Sequence, residues 1–99
     1  MSIRDSVISG NFSRGIGVFE ATSGGPSTVV LERTTVSNNG AQGIFASRAL
    51  ASVRVRQSAI TGNTVGVASA NGGQIISHGD NVLAGNTTNG AFTATVPPQ

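Results

Sequence analysis

The 99-residue sequence has no cysteine, lysine, tryptophan or tyrosine, and only four acidic residues, of which two are glutamate. Without cysteine, disulfides and thiolate metal sites are excluded. Without lysine, and with so little glutamate, the exposed faces of ordinary helices lack their usual material. Ser, Thr, Asn and Gly are abundant instead, and these residues favour turns and pleated surfaces over helix interiors. Charged residues make up 10% and hydrophobic ones 37%, with a net charge of +2. That excludes the low hydrophobicity and high charge of a disordered chain. No apolar run reaches the ~18 residues of a membrane span. The opening Met1-Ser2-Ile3-Arg4-Asp5 lacks the apolar core of a secretory leader, which fits a cytoplasmic protein or a fragment of a secreted one. The isoelectric point near 11.3 arises because every cation is arginine. Six arginines against four acids make too weak a field to point to a nucleic-acid partner.

An internal repeat is present. An apolar residue stands three positions before an Asn four times, in Ile8-Ser9-Gly10-Asn11, Val36-Ser37-Asn38-Asn39, Ile60-Thr61-Gly62-Asn63 and Leu83-Ala84-Gly85-Asn86. The Asn residues are 28, 24 and 23 positions apart. Gly follows four residues later at Gly15, Gly43 and Gly90, and one residue early at Gly66. Short apolar segments come next: Ile16-Gly17-Val18, Ile44-Phe45-Ala46, Val67-Ala68-Ser69 and Ala91-Phe92-Thr93. A second alternating strand, Val29-Val30-Leu31, Val53-Arg54-Val55 and Ile76-Ser77-His78, ends five residues before each later anchor, and Ile3 stands five before Ile8. Alternation of this kind gives strands with one buried face.

One such unit cannot bury its apolar face alone. Stacking units ~4.8 Å apart joins the inward side chains into a continuous core. The single domain then divides into coils at roughly 2–28, 29–52, 53–74 and 75–96. The expected inward ladders are Ile3/Leu31/Val55/His78, Ile8/Val36/Ile60/Leu83 and Ile16/Ile44/Val67/Ala91. A one-residue slip would put Ser77 inward in place of His78. A β-sandwich of this length would not require one Asn motif four times.

The apolar-x-(Gly/Asn)-Asn-x3-Gly pattern resembles the repeats of the pectate-lyase-like superfamily from residue 3 to about 93. The resemblance implies an all-β fold, a right-handed parallel β-helix of about four coils. Members include polysaccharide lyases, hydrolases and epimerases, tailspikes and surface proteins, so polysaccharide contact is one role it implies. Most have more coils and a capping helix, and the sequence departs on both counts.

Asn11, Asn39, Asn63 and Asn86 form an expected structural ladder, because Asn tolerates left-handed turns and its amide can bond a neighbouring coil. Two of them also lie in glycosylation sequons, Asn11-Phe12-Ser13 and Asn86-Thr87-Thr88, but an inward amide cannot carry a glycan. Arg4, Glu32 and Arg56 share one outward position, and Asp5 and Arg33 the next, so opposite charges meet across coils. Calcium needs six to eight close oxygens. Asp5 and Asp80 share a coil position but lie three coils apart, about 14 Å, so no metal site and no cofactor are expected. His78 and Asp80 are the weak functional candidates, as an acid–base pair. The four phenylalanines are expected in packing or in contacts between chains. The reading is a non-catalytic interaction module that forms a homodimer through the first coil (Ile3, Ile8, Ile16, Val18). The alternative is a polysaccharide-binding module or remnant of a larger enzyme.

Overall fold

The computed structural model describes residues 2–19, 27–48 and 50–96. Three short strands make up each turn of a parallel solenoid. The first turn holds β1 (Ser2–Arg4), β2 (Val7–Ser9) and β3 (Ile16–Phe19); the second β4 (Ser27–Glu32), β5 (Thr35–Ser37) and β6 (Gln42–Ser47). The third holds β7 (Ala51–Arg56), β8 (Ala59–Thr61) and β9 (Val65–Ala70). A shortened fourth contributes β10 (Gln74–Ser77) and β11 (Val82–Leu83), followed by β12 (Ala94–Thr95). The first sheet runs β1-β4-β7-β10-β12, the second β2-β5-β8-β11 and the third β3-β6-β9, every pairing parallel.

The register follows the repeat through three turns. Ile3 stacks on Leu31 and Leu31 on Val55; Ile8 on Val36, Ile60 and Leu83; Ile16 on Ile44 and Val67. Leu31, Val36, Ile44, Val55 and Ile60 are fully buried. The solenoid closes because each corner has a residue able to turn. Gly10, Asn38, Gly62 and Gly85 each precede a ladder Asn and have φ of 70°, 54°, 72° and 72°. This left-handed turn accounts for the alternation of Gly and Asn there, the two residues that tolerate it best. Asp5, Arg33 and Gln57 turn the first corner with φ of 50°, 49° and 47°.

The fourth turn departs from expectation. Ser77, not His78, pairs with Val55, and Ile75 pairs with Val53, so β10 turns Ile75 and Ser77 inward and Ile76 outward. The cause is an extra residue: six positions separate Ser77 from Leu83, where five separate Val55 from Ile60. The expected third strand at Ala91-Phe92-Thr93 does not form. A single bridge pairs Val65 with Thr88, which places Gly90 level with Val67 and leaves Ala91 exposed. The chain then cuts across the end of the core, where Phe92 packs, and rejoins the first sheet as β12. Pro97 and Pro98 lie outside the described residues, as does Glu20.

Candidate functional site

The Asn ladder runs along one corner with a fixed polarity. The backbone N–H and Nδ2 of each Asn both donate to Oδ1 of the Asn one coil on. Asn11 donates to Asn39 at 3.2 and 2.8 Å, Asn39 to Asn63 at 3.0 and 2.8 Å, and Asn63 to Asn86 at 2.8 and 3.0 Å. Nδ2 also donates to a strand carbonyl of the coil before, from Asn39 to Ile8, Asn63 to Val36 and Asn86 to Ile60. Asn39 and Asn63 are buried while Asn11 is exposed. The repeated glycine accompanies this ladder. A Cβ on Gly15, Gly43 or Gly66 would come within 2.8 Å of Nδ2 of Asn39, Asn63 or Asn86 respectively. Gly66 therefore occupies the same column as the other two despite its early position.

A second polar column was missed in the sequence. Ser6, Thr34, Ser58 and Asn81 each stand two residues before an anchor (Ile8, Val36, Ile60, Leu83), a regularity that would have revealed them. The hydroxyls of Ser6, Thr34 and Ser58 donate to the carbonyls of Arg4, Glu32 and Arg56 at 2.7, 3.0 and 2.7 Å. Thr34 N–H donates to Ser58 Oγ, and Ser58 N–H to Asn81 Oδ1. Both polar columns satisfy buried backbone at corners where strand pairing lapses.

The charges at the first corner meet as opposite signs across coils. Arg33 Nε lies 2.6 Å and Nη2 3.2 Å from the two Asp5 oxygens, and Arg4 lies 3.4 Å from Glu32. The hydrogen bonds from Arg33 hold the Asp5 carboxyl below its ordinary range; the charges of Arg33 and Arg4 add to this and desolvation opposes it. Arg33 is raised in turn, first by its hydrogen bond to Asp5. Because the folded carboxyl titrates lower than the unfolded one, the pair's contribution is present above the unfolded value and is lost as pH falls below about 4. Asp5→Asn is therefore expected to lower the urea midpoint at neutral pH by a small amount, as an exposed pair should. That deficit is expected to shrink as pH falls through the lowered range of the folded carboxyl, because Asp5 then becomes neutral, as the substituted amide already is.

Beside these charges a groove of about 410 Å³ spans the second to fourth coils. Arg33, Gln57 and Asp80 form one wall, Thr35, Ala59 and Val82 the other. Asp80 Oδ1 accepts Gln57 N–H at 3.0 Å. His78 is 6% exposed, and neither ring nitrogen has a hydrogen-bond partner among the described residues. No hydrogen bond joins it to Asp80 among the described residues. Among the described residues no three His, Asp or Glu side chains gather closely enough for a metal.

Of the phenylalanines, Phe45 lies under the Arg14 guanidinium at 4.7 Å, Phe92 packs on the core, and Phe12 is 93% exposed. The Phe19 side chain lies outside the described residues. In the first coil Ile16 and Val18 are already buried by their own chain, whereas Ile3 and Ile8 remain partly exposed.

Beside this geometry of parallel coils, a family profile described as a right-handed β-helix region matches residues 1–90 of the sequence. The chain belongs to the right-handed β-helix family. No curated protein and no solved structure matches it. Membership accounts for the β-helix architecture, while the shortened fourth turn, the groove and the first-coil surface are read from this chain's own residues.

Proposed function

We propose that this β-helix is a non-catalytic interaction module whose first coil associates with that of a second copy. The observation that carries the reading is a contrast within single ladders. Leu31, Val55, Val36 and Ile60 are fully buried, but Ile3 and Ile8 at the head of the same ladders remain partly exposed. Val7 and Phe12, 69% and 93% exposed, extend the apolar surface to the rim of this coil. The molecule measures 35 × 32 × 21 Å. With coils stacked along its short axis, an end face covers on the order of 900 Å², close to the ~800 Å² per partner of a standard interface. At the first corner of this coil the charges are paired within the chain, Arg4 with Glu32 and Asp5 with Arg33. Light scattering at high micromolar concentration is expected to give twice the 9.9 kDa chain mass. Ile3→Glu is expected to give a less stable single chain, because its charge would be buried in the joint. A single-chain mass for the unmodified protein sinks the reading.

The groove favours a second reading, contact with a polysaccharide. Arg33 and Gln57 offer donors, Asp80 and Thr35 acceptors, and Ala59 and Val82 an apolar patch, which suits the mixed surface of a sugar. Titration with neutral and uronic-acid polysaccharides, with products assayed in parallel, separates the two readings. The module reading expects no cleavage with or without calcium. Binding weakened by Gln57→Ala, without products, would support the second reading, and calcium-dependent cleavage lost in Asp80→Asn would overturn the non-catalytic one.

A further inference from the structure

We infer that residues 86–96 are a built-in terminator that blocks coil addition at this end, so that the β-helix has one adhesive end and forms a closed pair, not a filament. The inference rests on the first-coil association proposed above and specifies its geometry. It begins with the glycine column. Gly15, Gly43 and Gly66 must be small because the ladder Asn of the next coil fills the space where a Cβ would stand. The bridge from Val65 to Thr88 puts Asn89 next in that column, and Asn89 O stands against Gly66 as Gly66 O stands against Gly43. The column thus ends in a residue that has a side chain.

That side chain does what a further coil would do. Asn89 Oδ1 accepts from Asn86 N–H at 3.3 Å and from Asn86 Nδ2 at 3.0 Å. Asn39 accepts from Asn11 by the same pair of bonds. Asn89 therefore completes the ladder from within the last coil and occupies the position that an added coil's Asn would need. The backbone that follows alters the edges of the first and third sheets, while β11 remains at the edge of the second. Gly90 turns with φ of 75°, so the third sheet gains no fourth strand. Thr93 Oγ1 accepts Ile75 N–H at 2.8 Å and donates to Ile75 O at 3.0 Å, a return after 18 residues. Phe92 packs against the end of the core, and β12 covers the edge of β10.

At the opposite end the ladder's polarity leaves Asn11 Oδ1 as an acceptor with no donor among the described residues, and β1, β2 and β3 stand at the edges of their sheets, as β12, β11 and β9 do at the other end. The contrast between the ends therefore lies in the ladder and in Phe92. A capped end cannot supply a matching coil, so a second copy meets this surface with its own first coil. That contact is isologous and closes after two chains, whereas head-to-tail contacts would propagate. Strands related by a two-fold axis run antiparallel, and each can offer its N–H groups to the other's carbonyls.

The chain has no cysteine, so spin labels at Ser13→Cys and Thr87→Cys report separately, by double electron–electron resonance, on the first and last coils. Both positions are exposed and lie along the same corner, about 14 Å apart on the axis. The expected result is a short label-to-label distance from position 13 and a longer one from position 87. Equal distances from both positions mean head-to-tail stacking and overturn the terminator. No distance from either position, with a single-chain mass, overturns the association reading beneath it. In a second arm, Asn89→Gly with Phe92→Ser opens the cap. The expected mass grows beyond two chains with concentration, and adding Ile3→Glu stops the growth. An opened variant that keeps its β-sheet circular dichroism yet stays at two chains overturns the terminator and leaves the association reading standing.

Discussion

Asn63→Ala is expected to lower the unfolding free energy by about 3 kcal/mol, the largest loss at any ladder position. Asn63 is 1% exposed, and its side chain serves both neighbouring coils. Oδ1 accepts from Asn39 N–H and Nδ2, while Nδ2 donates to Val36 O, Thr61 O and Asn86 Oδ1. Truncation strands an N–H, an amide and a carbonyl where water cannot reach. An unmet buried polar group costs about 1–3 kcal/mol, more than a made bond contributes. Asn39→Ala is expected to cost nearly as much, Asn86→Ala less, and Asn11→Ala about 1 kcal/mol or below, because Asn11 is exposed and water can substitute. Urea denaturation of the four variants tests the gradient. Equal losses at all four positions would mean that the hydrogen-bonded column is not what holds the coils in register.

The gradient also shows why the middle of the fold was legible in the sequence and the last turn was not. In the first three turns each level of information agrees: apolar anchors, Asn at fixed offset, Gly or Asn before it, Gly after it. Stacked turns impose this agreement, since every inward position must fill the same space as the one above. The polar column at Ser6, Thr34, Ser58 and Asn81 obeys the same rule. It escaped notice because Ser, Thr and Asn are common throughout the chain and the four members are not one residue type.

The fourth turn breaks the rule because what pairs with β10 beyond it is β12, arriving 18 residues after it and not one full repeat on. Counting back from Leu83 put His78 inward, but a single extra residue moved Ser77 into that place. A one-residue slip exchanges the two faces of a strand, and no local property of Ile76-Ser77-His78 reveals which register pairing will choose. Likewise Gly90 fell at the motif spacing, yet it is Asn89 that continues the glycine column. The repeat grammar assigned Asn89 no meaning, since it bonds Asn86 from within the same coil and not at the repeat spacing. Groove residues such as Gln57 and Val82 were equally silent, being brought together by a corner and not by a motif.

Gly43→Ala is expected to cost about 3 kcal/mol or more, though it adds one methyl group to a small residue. The reason is crowding, not backbone conformation. A Cβ at this position would lie 2.7 Å from Gly66 O and 2.8 Å from Asn63 Nδ2. Neither atom is free to retreat. Gly66 is tied to the next coil by its N–H bond to Thr88 O, and Asn63 Nδ2 is held by its acceptors. Relief therefore requires the coils to separate or the ladder amide to leave its partners, so the substitution adds the loss seen on truncating Asn63 to the strain of overpacking. Gly10→Ala provides the contrast, because its Cβ would meet nothing within 4 Å while its φ is 70°. There the cost is conformational alone, about 1 kcal/mol. Urea midpoints for the two variants separate the causes. Similar losses would show that close approach of coil to coil does not explain the repeated glycine.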